Sequence, residues 1–417
     1  MNSAAHNKIG RLMRSLLPLF AGLLLLLCGC SVIETIADTP SKPQSATGDA
    51  EIVVVTDALN GSGTSPVATA TPALEQETAT PDIAEATEAE ETPALSLFEQ
   101  GISPTTGRQL PEGAVYRPAL VAIDNAAQAR PQTALMLADV VYEFPLDRAD
   151  HQTRYLALFS DTLPARVGPV RTSRAYLAQT ALEWGGLYVS LGDPEMAANG
   201  YPLLEGSGIP LRAENAGDAA AYFYRDKTIS SIEEHTLFFK LQSYLETQAA
   251  FSAEISESRF SFEHGVNYEK GKEIHSVGLP FTSSDAERVV FTYDKANNLL
   301  IRSDKNSKKV LGVSKSLTPT DDTLGYANET IAVQNLIVQY VRVSAYDGNY
   351  RSVMLTGKGD CMYFVNGRAV FGSWSRPTLD DPTAYKLYDG TILRLEPGNT
   401  WIMMMPSTRE IKIRYVG

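Results

Sequence analysis

Apolar residues between positions 98 and 255 recur in short runs, separated by segments with helical spacing. The runs are bounded by turn-forming or polar residues, and they predict buried strands at 120–123, 139–144, 155–159 and 187–191. Helical spacing predicts a helix over 173–184. A capping box at 230–233 predicts a second helix that extends to about Thr247. Strands that alternate with helices indicate a mixed α/β layer domain at 98–255.

The apolar pattern of residues 275–417 favours hairpins instead. Turn residues stand between pairs of β-branched or aromatic runs, and the strongest turn signal is Asn366-Gly367. The runs predict strands at 289–293, 299–302, 330–346, 362–365, 369–371, 387–388, 391–395 and 401–405. The predicted fold class is therefore α+β: a mixed α/β N-terminal domain followed by a largely antiparallel β C-terminal domain at 275–417.

The first thirty residues follow the layout of a secretory signal. Three cations precede an apolar run at 16–27, and the small residue Gly29 stands just before Cys30. The run has about a dozen residues, whereas a membrane-spanning helix needs roughly 20. With Leu27 three positions before Cys30, the pattern resembles the bacterial lipobox.

This resemblance implies that residues 1–29 are a lipoprotein signal peptide and that cleavage leaves Cys30 as a lipidated N-terminus. Fatty acyl chains such as palmitate on Cys30 would anchor the protein to the extracytoplasmic face of the cell membrane, since two or more chains give stable anchoring. The alternatives are an uncleaved anchor helix and a plain secretory signal in which the cysteine has no special role.

Residues 30–97 are predicted to be a disordered acidic tether. They are rich in Thr, Ala, Glu and Pro, and positions 31–97 hold twelve acidic residues and a single lysine. A segment of this composition cannot bury enough apolar surface to offset its chain entropy. The tether carries most of the formal net charge of −13, so the rest of the chain is only mildly acidic.

Cysteine and charge usage exclude several classes of site. Cys361 is the only cysteine after the predicted signal and Cys30, so no disulfide can form within the folded part. It stands in an apolar run, which favours a buried structural thiol over a nucleophile. No basic stripe indicates a nucleic-acid partner. The histidines are scattered and no metal or nucleotide motif occurs, so neither a metal nor another cofactor is predicted.

Polar residues that follow or begin the predicted strands and helices form the candidate site. In an α/β fold such positions gather at one edge of the sheet, where ligands bind. At 168–174 a Gly-Pro turn leads into a helix start, and arginines three residues apart can clamp a carboxylate or phosphate. The candidate ligand-binding residues are Asp124, Arg130, Glu143, Arg154, Arg171, Arg174 and His235. Internal salt bridges that fix loops are the alternative interpretation.

His235, Trp374 and Trp401 each have two interpretations as well. His235 beside Glu234 suits a general base, and a packed residue of the predicted helix is the alternative. Trp374 and Trp401 suit stacking on sugar rings, and core packing is the alternative.

Several of these segments resemble the YerB-like lipoprotein family. In the N-terminal half the resemblance rests on 118–125, 129–132, 138–143, 153–159, 168–174 and 235–237. In the C-terminal half it rests on 365–367, 372–374 and 397–401. The resemblance covers nearly all of 100–417 and implies a lipoprotein with N- and C-terminal domains of unknown function. It carries no catalytic residues over to this chain.

The combined expectation is an exported, lipid-anchored cell-envelope protein of undetermined activity. Its folded part is predicted to be a binding or accessory module for an anionic envelope ligand, because no nucleophile–base pair is recognisable. The expected partners are the membrane, through lipidated Cys30, and a cell-wall polymer or glycan. The alternatives are a cell-wall or glycan-acting hydrolase or transferase that uses Asp124, Glu143 or His235, and a scaffold for other envelope proteins.

Overall fold

The computed structural model describes most of the chain after residue 97. The described residues are 98, 100–146, 153–192, 217–248, 252, 259–281, 289–304, 328–345 and 351–417, with the short strands at 52–54, 210–212 and 311–313. The predicted signal peptide, the lipidation site Cys30 and, apart from 52–54, the predicted tether lie outside the described residues.

The described residues are mostly strands. In chain order the strands are β1 (Ile52–Val54), β2 (Ala119–Asp124), β3 (Gln132–Thr133), β4 (Val140–Pro145), β5 (Thr153–Phe159), β6 (Leu187–Ser190), β7 (Pro210–Arg212), β8 (Phe223–Arg225), β9 (Leu237–Phe239), β10 (Ser261–Phe262), β11 (Lys272–Leu279), β12 (Val289–Asp294), β13 (Leu299–Asp304), β14 (Leu311–Val313), β15 (Asn328–Thr330), β16 (Ala332–Val333), β17 (Asn335–Val341), β18 (Val343–Ala345), β19 (Arg351–Val353), β20 (Gly357–Val365), β21 (Arg368–Arg376), β22 (Ala384–Leu387), β23 (Arg394–Leu395), β24 (Thr400–Pro406) and β25 (Lys412–Tyr415). The α-helices of this part of the chain are α1 (Ala175–Leu182) and α2 (Leu241–Thr247). Short 3-10 turns lie at Ala127–Ala129, Leu135–Leu137, Gly217–Tyr222 and Glu233–His235.

One mixed sheet runs through both predicted halves of the chain. Its main path follows the order β16-β13-β12-β11-β21-β20-β17-β24-β4-β5-β2-β6-β7. At its centre, β24 from the C-terminal half pairs in parallel with β4 from the N-terminal half. The architecture is therefore largely β with a mixed sheet. The domain limits 98–255 and 275–417 stay predictions.

Apolar side chains pack on both faces of this sheet, because successive residues of a strand point to opposite faces. One face, the Trp401 face, buries Ile123, Tyr155 and Trp401 in a single cluster. The opposite face, the α1 face, buries Leu156 against Tyr176 and its neighbours on α1. Burial of one large apolar side chain contributes about 1.5–3 kcal/mol, so both faces hold the central strands in place.

Most predicted elements of the N-terminal half are confirmed. β2, β4, β5 and β6 correspond to the four predicted strands, and α1 corresponds to the helix predicted over 173–184. Each of these strands is buried on both faces. Such strands appear in the sequence as near-continuous apolar runs, which made them readable from the pattern alone.

Turn chemistry accounts for the confirmed hairpins of the C-terminal half. β20 and β21 pair around Asn366 and Gly367, whose φ angles of 48° and 73° lie in the left-handed region. A two-residue turn with both central φ angles positive matches the twist of the flanking strands. A Cβ on Gly367 would lie 2.3 Å from the ring of Tyr293, so this position also needs glycine for space.

The predicted helix at 230–247 is wrong over its first half. A 3-10 turn at Glu233–His235 is followed by strand β9, and only α2 is helical. β9 pairs with β8, and its Phe239 exchanges backbone hydrogen bonds with Val167. All three side chains of β9 are buried, whereas an amphipathic surface helix buries a single stripe. Packing from both sides therefore favours the extended conformation.

Candidate functional site

The carboxyl end of β2 is where most of the candidate residues meet. The segment 169–171 lies along the second half of this strand. The N–H of Asp124 donates to the carbonyl of Pro169 at 2.9 Å, and the N–H of Arg171 donates to the carbonyl of Ala122 at 2.8 Å. Main-chain hydrogen bonds therefore place the Arg171 side chain beside Asp124.

Gly168 allows the backbone of Leu237 to pack closely against the segment 168–170. The N–H of Val170 donates to the carbonyl of Leu237 at 2.6 Å. A Cβ on Gly168 would lie 2.8 Å from that carbonyl oxygen, so only glycine permits this close contact. Because Leu237 follows the turn that carries Glu234 and His235, the contact also positions those two side chains.

Asp124 is the centre of a set of polar contacts, which we call the Asp124 cluster. The cluster comprises Asp124, Arg154, Arg171, Arg174, Glu234 and His235. The Nδ1 of His235 lies 2.7 Å from Oδ2 of Asp124, and the Nε of Arg171 lies 3.3 Å from the same oxygen. The N–H of Ala126 donates to Oδ1 at 3.0 Å. The Asp124 side chain itself is fully buried.

Burial alone would raise the pKa of Asp124, but its surroundings outweigh that effect. Arg154 has the largest lowering effect, and the Ala126 N–H, His235 and Arg171 lower the pKa further. The pKa therefore lies below its ordinary value and the group is a carboxylate at neutral pH. Since a carboxylate only accepts hydrogen bonds, the Nδ1 of His235 is the donor in their contact.

The cluster reaches solvent through Arg171 and Glu234. The Nη2 of Arg171 lies 2.7 Å from Oε2 of Glu234, and the two side chains are 18% and 53% exposed. The other carboxylate oxygen of Glu234 lies 3.5 Å from Nε2 of His235. Ion pairs this exposed contribute about 0–1 kcal/mol, so Glu234 can move aside with little loss of stability.

Positive charge accumulates around Arg154. This residue stands opposite Asp124 in the β2–β5 register, and its Nη1 donates to the carbonyl of Thr172 at 2.7 Å. Burial lowers the pKa of Arg154 and the nearby Arg174 and Arg171 lower it further, against the opposing effect of Asp124, to about 10. The Nε of Arg154 is a buried donor with no hydrogen-bond partner among the described residues.

Glu143 lies at the same end of the sheet but on the other face. It stands opposite Tyr155, on the Trp401 face, whereas Asp124 and Arg154 stand opposite each other on the α1 face. The Nη2 of Arg302 lies 3.2 Å from each oxygen of the Glu143 carboxylate, and both side chains are fully buried. The structure therefore does not bring Glu143 into the Asp124 cluster.

Asn125 connects Arg130 to the Glu143 side of the sheet. Its Oδ1 accepts hydrogen bonds from Nε and Nη2 of Arg130, at 3.1 and 2.9 Å. Its Nδ2 donates to the hydroxyl of Thr153 at 2.6 Å, and that hydroxyl donates to Glu143 at 2.6 Å. Arg130 thus joins the site through the Asn125 amide.

Comparison with known proteins identifies the family. The family model described as "Protein of unknown function (DUF3048) N-terminal domain" matches residues 105–256, and the corresponding C-terminal domain model matches residues 277–402. The chain belongs to the DUF3048 family. Two matched regions of unknown function agree with the resemblance predicted from the sequence.

A relative and a solved structure extend the comparison for this DUF3048 chain. The Bacillus subtilis (strain 168) protein named "Putative lipoprotein YerB" is 24% identical over 294 residues, which are 70% of this chain and 81% of that protein. The crystal structure of the YerB protein from Bacillus subtilis is similar with a TM-score of 0.58 and 22% identity, over 73% of this chain and 96% of that chain. The predicted resemblance to the YerB-like family is confirmed, and the structural match shows a shared fold.

The sequence did not predict Arg302 as a partner of Glu143 in this DUF3048 chain. Arg302 follows Leu300 by two positions on β13, so both side chains point to the same face of the strand. An arginine two positions after the apolar Leu300 was the available signal, because arginine is almost never fully buried unless paired. Its carboxylate partner stands 159 positions earlier, a separation that no local pattern reveals.

The described residues of this DUF3048 chain also bear on metal binding, membrane spans, the cysteine and the tryptophans. In the part of the chain that the structure describes, no group of three His, Cys, Asp or Glu side chains is arranged to hold a metal ion. None of the helices described is long and apolar enough to cross a membrane. Cys361 is buried, as predicted, and burial raises the pKa of its thiol. Trp374 and Trp401 are buried too, which favours core packing over sugar stacking.

Proposed function

We propose that this DUF3048 chain is an exported, lipid-anchored cell-envelope protein whose folded part binds an anionic envelope ligand. The anchor rests on the lipobox-like sequence before Cys30 and on the lipoprotein name of the relative. The binding role rests on one observation: the Asp124 cluster combines three arginines with two carboxylates and reaches solvent at its edge.

In this proposal Arg171 is the residue that binds the ligand anion directly. Its Nε is held by the buried Asp124, whereas its Nη2 faces the exposed Glu234. A ligand carboxylate or phosphate that replaces Glu234 would gain a charge-assisted hydrogen bond to a guanidinium already fixed in place. Because Arg171 is oriented before binding, less side-chain entropy is lost on association.

Arg154 and Arg174 add positive charge to the proposed binding site. The pKa of Arg154 is lowered partly by the proximity of Arg174 and Arg171, so these guanidinium groups repel one another. A bound anion would offset that repulsion, and a ligand oxygen near Arg154 would accept a hydrogen bond from its buried Nε. Like charges held together in this way favour an anionic ligand.

Calorimetric titration of the full-length protein tests this proposal. The probes are soluble anionic wall fragments, with uncharged glycan oligomers of similar length as the reference. We expect heat of binding from the anionic fragments only. The double variant Arg171→Gln with Arg174→Gln should weaken binding at least tenfold, because each lost charge-assisted contact contributes about 1.5–3 kcal/mol.

Arg394→Gln is the matched control for that experiment. Arg394 is an arginine paired with the carboxylate of Glu263, and both side chains are largely exposed. Its loss removes one positive charge at a different place and should leave the affinity unchanged. Equal affinities for the wild type and the double variant would remove the Asp124 cluster as the binding site.

The contact between Asp124 and His235 favours a second candidate function. A carboxylate that holds the Nδ1–H of a histidine fixes the tautomer in which Nε2 can accept a proton, which is the arrangement of a general base. A cell-wall or glycan-acting hydrolase or transferase would use this pair. It predicts turnover of peptidoglycan or glycan fragments by the purified protein, with loss of turnover in His235→Gln. Binding without turnover would leave the ligand-binding role as the function.

A further inference from the structure

We propose that the segment Ile52–Val54 of the predicted tether docks on the edge strand β25 of its own folded part. Docking would shorten the length of chain between the anchor and the folded part. The docking itself follows from strand pairing, and only its effect on distance rests on the proposed lipid anchor at Cys30.

The proposal rests on the register in which β1 pairs with β25. β1 pairs with β25 in the antiparallel sense, with Ile52 opposite Arg414, Val53 opposite Ile413 and Val54 opposite Lys412. On its other side β25 pairs with β11, and it has no further strand partner among the described residues. Without β1, the outer row of backbone groups on β25 would be an open sheet edge, which is a template for another strand.

The composition of the tether explains why this segment is the one that docks. Residues 52–55 are its longest apolar run, and all four are β-branched. β-Branched residues favour the extended conformation, and an extended segment can add to a sheet edge through backbone hydrogen bonds. The rest of the tether is rich in Pro, Glu and Ala, which are poor strand formers.

Charge favours the same pairing. Acidic residues flank the docked segment at Asp49, Glu51 and Asp57. On β25, the side chains of Lys412 and Arg414 are exposed and alternate with buried residues. Acidic residues that flank an apolar strand beside a basic edge are attracted to that edge at low salt, although exposed pairs contribute only about 0–1 kcal/mol each.

Docking divides the tether into two unequal parts. By random-coil scaling, a tether of the length of 31–97 would have a root-mean-square span of about 45 Å, whereas one of the length of 31–51 would span about 25 Å. The docked state would hold the folded part about 20 Å closer to the membrane than the free state. Because the pairing involves three residues on each strand, its stability is small and the two states can interchange.

Disulfide trapping in the full-length protein tests the docking. The pair Val54→Cys with Lys412→Cys stands in register, and the distance between cross-strand neighbours suits a disulfide. The pair Val67→Cys with Lys412→Cys is the control, since position 67 lies on the same tether without a register partner in the proposal. We expect the in-register pair to form a disulfide at least tenfold faster. Cys361 is buried and does not compete. Equal rates would overturn the docking.

Energy transfer in vesicles then separates docking from anchoring. The donor is a dye in the lipid, and the acceptor is a label on the folded part of the lipid-bound full-length protein. Ile52→Pro with Val54→Pro removes backbone donors, and we expect the mean distance to rise by about 20 Å. Ile52→Thr with Val54→Thr keeps the donors and the β-branching, and should change nothing. Trapping without any distance change would overturn the anchor at Cys30 and leave the docking in place.

Discussion

Two charged groups lie at the same end of the central sheet and differ in burial and in charge balance. On the Trp401 face, Glu143 and Arg302 are fully buried, and one carboxylate meets one guanidinium. On the α1 face, the described residues of the Asp124 cluster include three arginines and two carboxylates, and the cluster reaches solvent at Glu234. The two groups are separated by a single layer of strands.

The difference indicates separate roles for the two groups. In a low-dielectric interior an unbalanced charge is destabilising by several kcal/mol, so a fully buried pair is balanced and serves the fold. An excess of one charge is tolerable where water or a ligand can reach it. Balance on one face and excess on the other therefore suggest a structural pair and a binding cluster.

Arg302→Ala has the largest expected effect. It removes the cation that faces Glu143 and also the guanidinium contacts with the rings of Tyr155 and Trp401, at 5.8 and 5.6 Å from their centroids. Removal of one partner from a buried ion pair typically costs about 3–5 kcal/mol. Urea unfolding of the full-length protein should show a decrease in the free energy of unfolding of this size.

Two further variants show whether charge is the cause. Arg394→Ala breaks an exposed pair with Glu263 and should leave the unfolding midpoint nearly unchanged. Glu143→Gln combined with Arg302→Met removes both buried charges and should recover more than half of the loss. A single variant Arg302→Ala that unfolds like Arg394→Ala would contradict the structural role of the buried pair.

Asp124→Asn should show a smaller loss of stability with a characteristic pH dependence. The pKa of Asp124 is lower in the folded state, so its carboxylate stabilises the fold above the unfolded pKa of about 3.9, and this stabilisation is lost as the pH falls through the folded value. We expect the variant to be less stable by about 1–3 kcal/mol at pH 7. The difference should shrink towards pH 3 in urea unfolding.

Asp139→Asn is the control, because the pH dependence of its stability should have the opposite sign to that of Asp124→Asn. Burial, and after it the neighbouring carboxylate of Asp161, raise the pKa of Asp139 well above its ordinary value. A raised folded pKa gives stability that is present at low pH and lost as the pH rises through that value. Asp139→Asn should therefore gain stability relative to the wild type as the pH rises. The same pH trend in both variants would contradict these assignments.

Contacts made by residues near one another in sequence or at strand ends were accessible from the sequence. Asp124 directly follows a predicted strand and Arg171 precedes a predicted helix, and such positions gather at one edge of a sheet. Separation of Glu143 from Asp124 was not accessible, because a shift of one residue in register moves a side chain to the other face. The face became known only once β4 and β5 were paired.

Tertiary packing decided what local propensity did not. His235 was expected on a helix, but the strand after it is buried from both sides and the residue lies in a 3-10 turn instead. That turn, held by the backbone of Leu237, is what carries His235 to Asp124. Arg302 meets Glu143 across a long stretch of chain, and only the arrangement of the strands brings them together.

Arg171→Lys should affect binding and leave the fold almost unchanged. Lysine keeps the positive charge but cannot contact Asp124 and a ligand with two separate nitrogens of one planar group. We expect binding of anionic wall fragments to weaken by about three- to tenfold, which corresponds to about 0.7–1.4 kcal/mol. Calorimetry measures this change, with Arg394→Lys as the control. Unchanged affinity would show that Arg171 contributes only its charge.

Glu234→Gln has the smallest expected effect on stability. Its effect on binding is expected to be a gain in affinity, which distinguishes it from the other variants. Glu234 occupies the Nη2 of Arg171 at 2.7 Å, so it competes with a ligand anion for the same donor. Glutamine has the same size and removes only the charge. We expect binding of anionic wall fragments to become about two- to fivefold tighter, and the free energy of unfolding to change by less than about 1 kcal/mol.

The salt dependence and a neighbouring variant complete this test. The gain should shrink as salt rises, because exposed charges are screened beyond about 10 Å at 0.1 M ionic strength. Glu233→Gln removes an equal charge one position away, but the carboxylate of Glu233 pairs with Arg225 at 3.2 Å. It should leave the affinity nearly unchanged. An equal gain in both variants would indicate a general charge effect, and weaker binding in Glu234→Gln would mean that Glu234 positions Arg171 rather than competing for it.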